Sequence, residues 1–97
     1  MDQAIEVVIF RAKPGITSEQ MKNAALAVTP ELAALPGFLS REFGLSEGDQ
    51  YIDIVHWRNL ESAKKAAEKV MNIPICSEFF SLIDQTQMQF MHFNKIT

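Results

Sequence analysis

Four short stretches of this chain are apolar on both faces of an extended strand: Ile5 to Ala12, Phe38 to Leu45, Tyr51 to Trp57 and Met88 to Phe93. In the first, Ile5, Val7 and Ile9 point one way while Val8 and Phe10 point the other, because side chains alternate across a strand. A sheet with one wet face alternates apolar with polar residues. These segments do not, so both faces of their sheet need cover. The rest of the chain supplies only enough helix for one face. The other is expected to meet a second protein surface, most simply another copy of the chain.

The connections set the order of elements. Pro14-Gly15 stops the first strand, which reads as Ala4 to Lys13. Thr17 then offers an N-cap, and Gln20 three residues on completes a capping box. Met21, Ala25, Val28, Leu32 and Leu35 form one apolar stripe at helical spacing. Pro30 interrupts it and is expected to kink the helix near Thr29 or to begin a separate last turn. Pro36-Gly37 ends the helix. Ser46-Glu47-Gly48-Asp49 joins the second strand to Gln50–Trp57 as an antiparallel hairpin. Asn59 caps a helix from Leu60 to about Met71, with small residues Ala63, Ala66 and Ala67 beside Val70 on its inner stripe. Pro74 stands near the first position of a short helix carrying Ile75, Phe79, Phe80, Leu82 and Ile83. The last strand runs to about Asn94.

Strand, helix, strand, strand, helix, short helix, strand is the split β-α-β order of a ferredoxin-like α+β domain. The 97 residues make a single domain, 1–97, with no repeat or linker. Right-handed crossovers put both long helices on one face of a four-stranded antiparallel sheet. The other face then shows Ile5, Val7, Ile9, Ile52 and Ile54. At ~25 cal/mol per Å², covering them in a face-to-face homodimer gains several kcal/mol per subunit before association costs.

Several function classes are disfavoured. The net charge of −3 gives no electrostatic reason to bind nucleic acid. Lys64, Lys65 and Lys69 are interleaved with Glu61 and Glu68, which reads as a solvated helix face. The one cysteine, Cys76, permits neither an internal disulfide nor a thiolate metal cluster, and its apolar neighbours suit a buried thiol. His56 and His92 fall on opposite sheet faces without a carboxylate cluster, so no metal is expected. The four glycines form no phosphate-cradling motif. Met1-Asp2-Gln3-Ala4 has no basic region or apolar core, and no apolar run approaches the ~20 residues of a membrane span, so the expected location is cytoplasmic, away from membranes.

Few residues suggest chemistry. His92 shares a strand face with Met88 and Phe90 and titrates near neutral pH. Its competing reading is a packed histidine held by one hydrogen bond. His56 alternates with Ile52 and Ile54, so it faces the partner. Asp53 lies between Ile52 and Ile54. Buried, its carboxyl would rise in pKa and suit a general base; paired with a lysine, it would be structural. Glu6 raises the same question. Tyr51 and Trp57 supply flat aromatic surface with one polar end each. Phe10, Phe79, Phe80 and Phe90 read as core or as pocket wall.

Three strings carry a resemblance: Val7-Val8-Ile9-Phe10-Arg11-Ala12-Lys13-Pro14-Gly15, Leu35-Pro36-Gly37-Phe38, and Asp53-Ile54-Val55-His56-Trp57-Arg58-Asn59-Leu60-Glu61-Ser62. With them the chain resembles the antibiotic biosynthesis monooxygenase-like members of the dimeric α+β barrel superfamily over nearly its whole length. The resemblance implies a homodimer joined by sheet faces. It also implies a cleft between sheet and helices for a small hydrophobic or aromatic ligand. By position, Glu6, Phe10, Tyr51, Trp57, Phe79 and Phe80 would bind that ligand, and Asp53 or His92 would act as base. The implied activity is a cofactor-independent monooxygenase-like oxidation of a small aromatic or polyketide-like molecule. The alternatives are a non-enzymatic dimeric binding or stress-related protein, and an isomerase or cyclase. Haem degradation is disfavoured: that branch has an Asn where this chain has Phe10, a Trp where it has Ala66 and Ala67, and a His where this chain has none between His56 and His92. No arginine follows Arg58, so a basic group on the later segments would have to be Lys95.

Overall fold

Alternation alone assigns most side chains to a face, and strand pairing follows it. The structure is a computed structural model that describes residues 2–97. Its elements are β1 (Ala4–Phe10), α1 (Ser18–Ala33), β2 (Phe38–Leu45), β3 (Tyr51–Trp57), α2 (Leu60–Val70), α3 (Pro74–Ser81), a 3₁₀ turn (Gln85–Gln87) and β4 (Gln89–Asn94). The strands form one antiparallel sheet in the order β2-β3-β1-β4, the ferredoxin-like α+β arrangement. Val8 lies opposite Asp53 on one side and Phe90 on the other; Glu6 lies opposite Val55 and His92. One face therefore carries Glu6, Val8, Phe10, Tyr51, Asp53, Val55, Trp57 and His92. All three helices cover that face, which holds the core residues Phe10, Val55 and Trp57.

The opposite face carries Ile5, Val7, Ile9, Ile52, Ile54, His56 and Met91, all only partly buried, and Phe93, which is exposed. No element of the described chain lies over it.

The helix starts follow the caps. Thr17 Oγ1 accepts from the Gln20 amide at 3.1 Å, and the Thr17 amide donates to Gln20 Oε1 at 2.8 Å. Asn59 Oδ1 accepts from the Ser62 amide at 2.8 Å. Pro30 does not begin a separate last turn: α1 runs to Ala33 with Pro30 inside it. Proline removes one donor and frees the carbonyl of Leu26, and Leu26 lies on the solvent side, 60% exposed. The bond is lost one turn from the helix end, where few bonds depend on it. The first strand is also shorter than expected. It ends at Phe10; beyond it Ala12 bridges Ile83, and the Lys13 amide donates to Leu82 O at 2.9 Å.

Gly37 fixes how closely α2 approaches the sheet. Its φ is +87°, and a Cβ there would fall 2.5 Å from Ser62 Oγ and 2.6 Å from Ser62 Cβ. Gly37→Ala is expected to cost about 2–5 kcal/mol, from roughly 1–2 of left-handed backbone strain and roughly 1–3 of overpacking. Thermal melting followed by circular dichroism checks this. Adding Ser62→Gly should recover the packing part and leave the backbone part.

Candidate functional site

The alanines that let α2 lie close also leave a space. Between the sheet and the helices is a cavity of about 300 Å³, within the size range of small-molecule sites. Glu6, Val8, Phe10, Asp53, Val55 and Trp57 form its floor. Val28 and Leu32 of α1, Ala66, Ala67 and Val70 of α2, and Phe79 and Phe80 of α3 form its walls. Gln85, Met88 and the exposed Phe90 stand at its β4 side. Larger residues at positions 66 and 67 would fill this volume.

The lining is apolar except at a few points, and three polar groups of the floor differ sharply in how they are satisfied. Asp53 is bound. Arg41 Nε donates to Asp53 Oδ1 at 2.9 Å, and Nη2 donates to Oδ2 at 2.6 Å. Their side chains are only 3% and 9% exposed. Arg41 Nη1 also donates to Ala25 O at 2.6 Å and to Thr29 Oγ1 at 3.0 Å. The guanidinium lies 5.5 Å from the Phe43 ring centre and 5.7 Å from that of Phe79. The Arg41–Asp53 fork thus ties β2, β3 and α1 together. Of the two readings of Asp53, a free base or a paired carboxylate, the geometry gives the paired one, because both of its oxygens are occupied. Its partner is an arginine rather than a lysine.

Glu6 is less constrained. Its Oε1 lies 3.1 Å from His92 Nε2, and the two side chains are 13% and 15% exposed. Among the described residues no group hydrogen-bonds Oε2. Burial pushes the Glu6 carboxyl above its ordinary 4.5. His92 pulls it back without cancelling the rise, and the negative charge of Asp53 adds to it. His92 itself does not line the cavity; it stands behind Glu6, edge-on to Phe90.

Trp57 is the third. Its Nε1 is buried and has no hydrogen-bond partner among the described residues. It lies near enough to Glu6 to exert a small downward pull on that carboxyl, without reaching hydrogen-bond geometry. A buried donor left unpaired costs ~1–3 kcal/mol, and the group beside it is the Glu6 carboxyl.

Glu6's raised pKa has a definite consequence for stability. The folded state holds this proton more tightly than the unfolded chain does. Its contribution is complete below 4.5 and is lost as pH rises through the raised value. Urea unfolding of wild type and Glu6→Gln across this window should show the wild type losing stability relative to the variant as pH rises.

Seven of the residues singled out in the sequence as base, ligand contact or pocket wall border this cavity: Glu6, Phe10, Asp53, Trp57, Phe79, Phe80 and Phe90. Tyr51 does not. It is buried against Phe10 and Phe43, with ring centres 5.4 and 5.8 Å away, and burial pushes its phenol up. It faces a second, more open concavity of about 510 Å³ between α1 and β2 that Arg41 also lines. The ion pair separates the two spaces, so Tyr51 and Trp57 do not grip one ring. That second space is rimmed by Ser18, Glu19, Lys22 and Leu45, all exposed, and reads as a surface groove. His56 lies on the uncovered face, 3.6 Å from Glu42. Cys76 is buried, and burial pushes its thiol up. Arg41 was the residue sequence reasoning missed. Its signal was alternation: it shares a face with Phe43, which pairs with Asp53. Among the described residues no group of three or more His, Cys, Asp or Glu is placed to hold a metal, and no helix is long and apolar enough to cross a membrane.

No protein-family model matches the chain, and no curated protein sequence matches it. Solved structures do. SnoaB from Streptomyces nogalater, a cofactor-independent oxygenase, superposes with a TM-score of 0.82 at 14% identity, covering 100% of this chain and 96% of that one. A candidate antibiotic biosynthesis monooxygenase from Bordetella bronchiseptica gives 0.83 at 12% identity, covering 100% of both chains. One from Nitrosomonas europaea gives 0.74 at 12% identity, covering 98% of this chain and 91% of that one. At such identities the likeness concerns backbone architecture. The chain therefore shares the ferredoxin-like α+β fold of this oxygenase and of structures named as antibiotic biosynthesis monooxygenases.

Proposed function

We propose that this protein is a cofactor-independent monooxygenase-like enzyme that binds one small aromatic or polyketide-like molecule in the cavity over Trp57. The observation that carries the reading is an apolar cavity of about 300 Å³ with Glu6, Asp53 and Trp57 on its floor. Such a site suits a flat ring system with one oxygen-bearing end. Phe10, Phe79 and Phe80 would pack against the rings, and the oxygen would lie toward Glu6 and Trp57. The fold shared with a cofactor-independent oxygenase supports the choice of chemistry.

In that chemistry the substrate hydroxyl or acidic C–H loses a proton, and the electron-rich carbon reacts with dioxygen. One oxygen atom remains on that carbon as a new carbonyl. The other leaves as water with the two hydrogens the substrate gives up. The protein's part is to exclude water, fix the ring and accept the first proton.

The acting form would be a homodimer paired through the uncovered sheet face of Ile5, Val7, Ile9, Ile52 and Ile54. Sedimentation equilibrium should return twice the chain mass. For the activity, the purified protein is supplied with anthrone in air. Quinone formation with equimolar oxygen uptake, above the protein-free rate, is the expected result. Saturable binding without turnover would favour a binding protein, and no binding would remove the reading altogether.

A further inference from the structure

Resting on that reading, we infer that the group receiving the ligand's proton is the Glu6 carboxylate, positioned by His92, and that Asp53 serves instead as the fixed counter-ion of Arg41. Both carboxylates face the cavity, but only one has an oxygen to spare. Asp53 Oδ1 and Oδ2 are each taken by Arg41. Glu6 uses Oε1 toward His92, and among the described residues nothing hydrogen-bonds Oε2. Proton transfer from a ligand hydroxyl would therefore form the Oε2–H bond. The O–H electron pair stays on the ligand oxygen.

The surroundings suit this role. The charges facing Glu6 are His92 from β4 and Asp53 from β3, the latter offset by Arg41 from β2. α2 presents Ala66, Ala67 and Val70, and α3 presents Phe79 and Phe80, none of them charged. Burial lifts the Glu6 carboxyl toward the range of a phenol, which narrows the proton-transfer gap. His92 opposes that lift and so keeps Glu6 ionised at a lower pH than it would be alone. His92 does not reach the cavity and is a positioning residue.

The probe is 4-nitrophenol, which is yellow only as its anion, added at a pH where the free probe is mostly protonated. Binding is read separately, from quenching of Trp57, the one tryptophan. Wild type should bind the probe and shift it to the yellow anion. In wild type the bound anion should appear with no proton released to the buffer, because Glu6 takes it; Glu6→Gln should still quench but release one proton for each probe bound as the anion, and Glu6→Asp should again release none. His92→Gln should move the onset of ionisation to higher pH. A bound probe that stays colourless in wild type, or that turns yellow while releasing a proton to the buffer as in Glu6→Gln, overturns the assignment while leaving the cavity reading intact. An unquenched Trp57 at probe saturation overturns the cavity reading, and this assignment with it.

Discussion

Arg41→Met is expected to lower the free energy of unfolding by about 3–5 kcal/mol, the usual cost of removing one partner of a buried ion pair. The size follows from what is left behind. Asp53 would lose both hydrogen bonds, and its carboxylate would sit in an apolar floor near a second carboxylate, Glu6. The methionine can replace some of the packing against Phe43 and Phe79 but none of the charge. In a domain of this size the melting temperature should fall by at least about 12 °C. Asp53→Leu in the same chain removes the stranded charge, so the double variant should recover most of the loss. Urea unfolding of both single variants and the double variant measures the coupling. A double variant no more stable than Arg41→Met would show that the pair matters for packing rather than charge.

Phe10→Ala is the second large expectation, at about 3–5 kcal/mol. Phe10 is wholly buried and meets Phe43, Tyr51 and Phe79, with ring centres 6.1, 5.4 and 6.0 Å away. It also stands between the cavity and Tyr51, since Phe10 lines the cavity and stacks on Tyr51, which does not line it. The loss should therefore be partly reversible: an added naphthalene-sized ligand should raise the variant's melting temperature more than that of wild type. Thermal melts with and without ligand compare the two shifts.

These two residues also show what could be read in the amino-acid order. Alternation puts Phe10 on the face of Val8, but both faces of that strand are apolar, so its burial under the helices did not follow from periodicity alone. The caps at Thr17 and Asn59 were readable because each acts within three residues. Whether Pro30 divides the helix depends on what receives the freed carbonyl, and Leu26 faces solvent. Asp53 was recognised as unusual, but its partner lies on another strand, 12 positions away in sequence. Only the β2–β3 register brings Arg41 to it. Tyr51 and Trp57 share a strand face, which periodicity shows. The ion pair standing between them joins two strands and a helix, which periodicity cannot show. His92 was correctly placed on the face of Glu6, yet which of the two reaches the cavity depends on side-chain depth. The cavity itself depends on how far Ala66 and Ala67 stand from the floor, a distance that composition does not encode.

Isothermal titration with 1-naphthol, on wild type and on Ala67→Phe, tests the central claim most directly. Ala67 lines the cavity, and a phenyl ring there would occupy its volume. Wild type should bind one naphthol per chain saturably, and the variant, still unfolding cooperatively, should lose that binding by at least about 10-fold. Equal heats from the two proteins, or no saturable heat from wild type, would contradict the account.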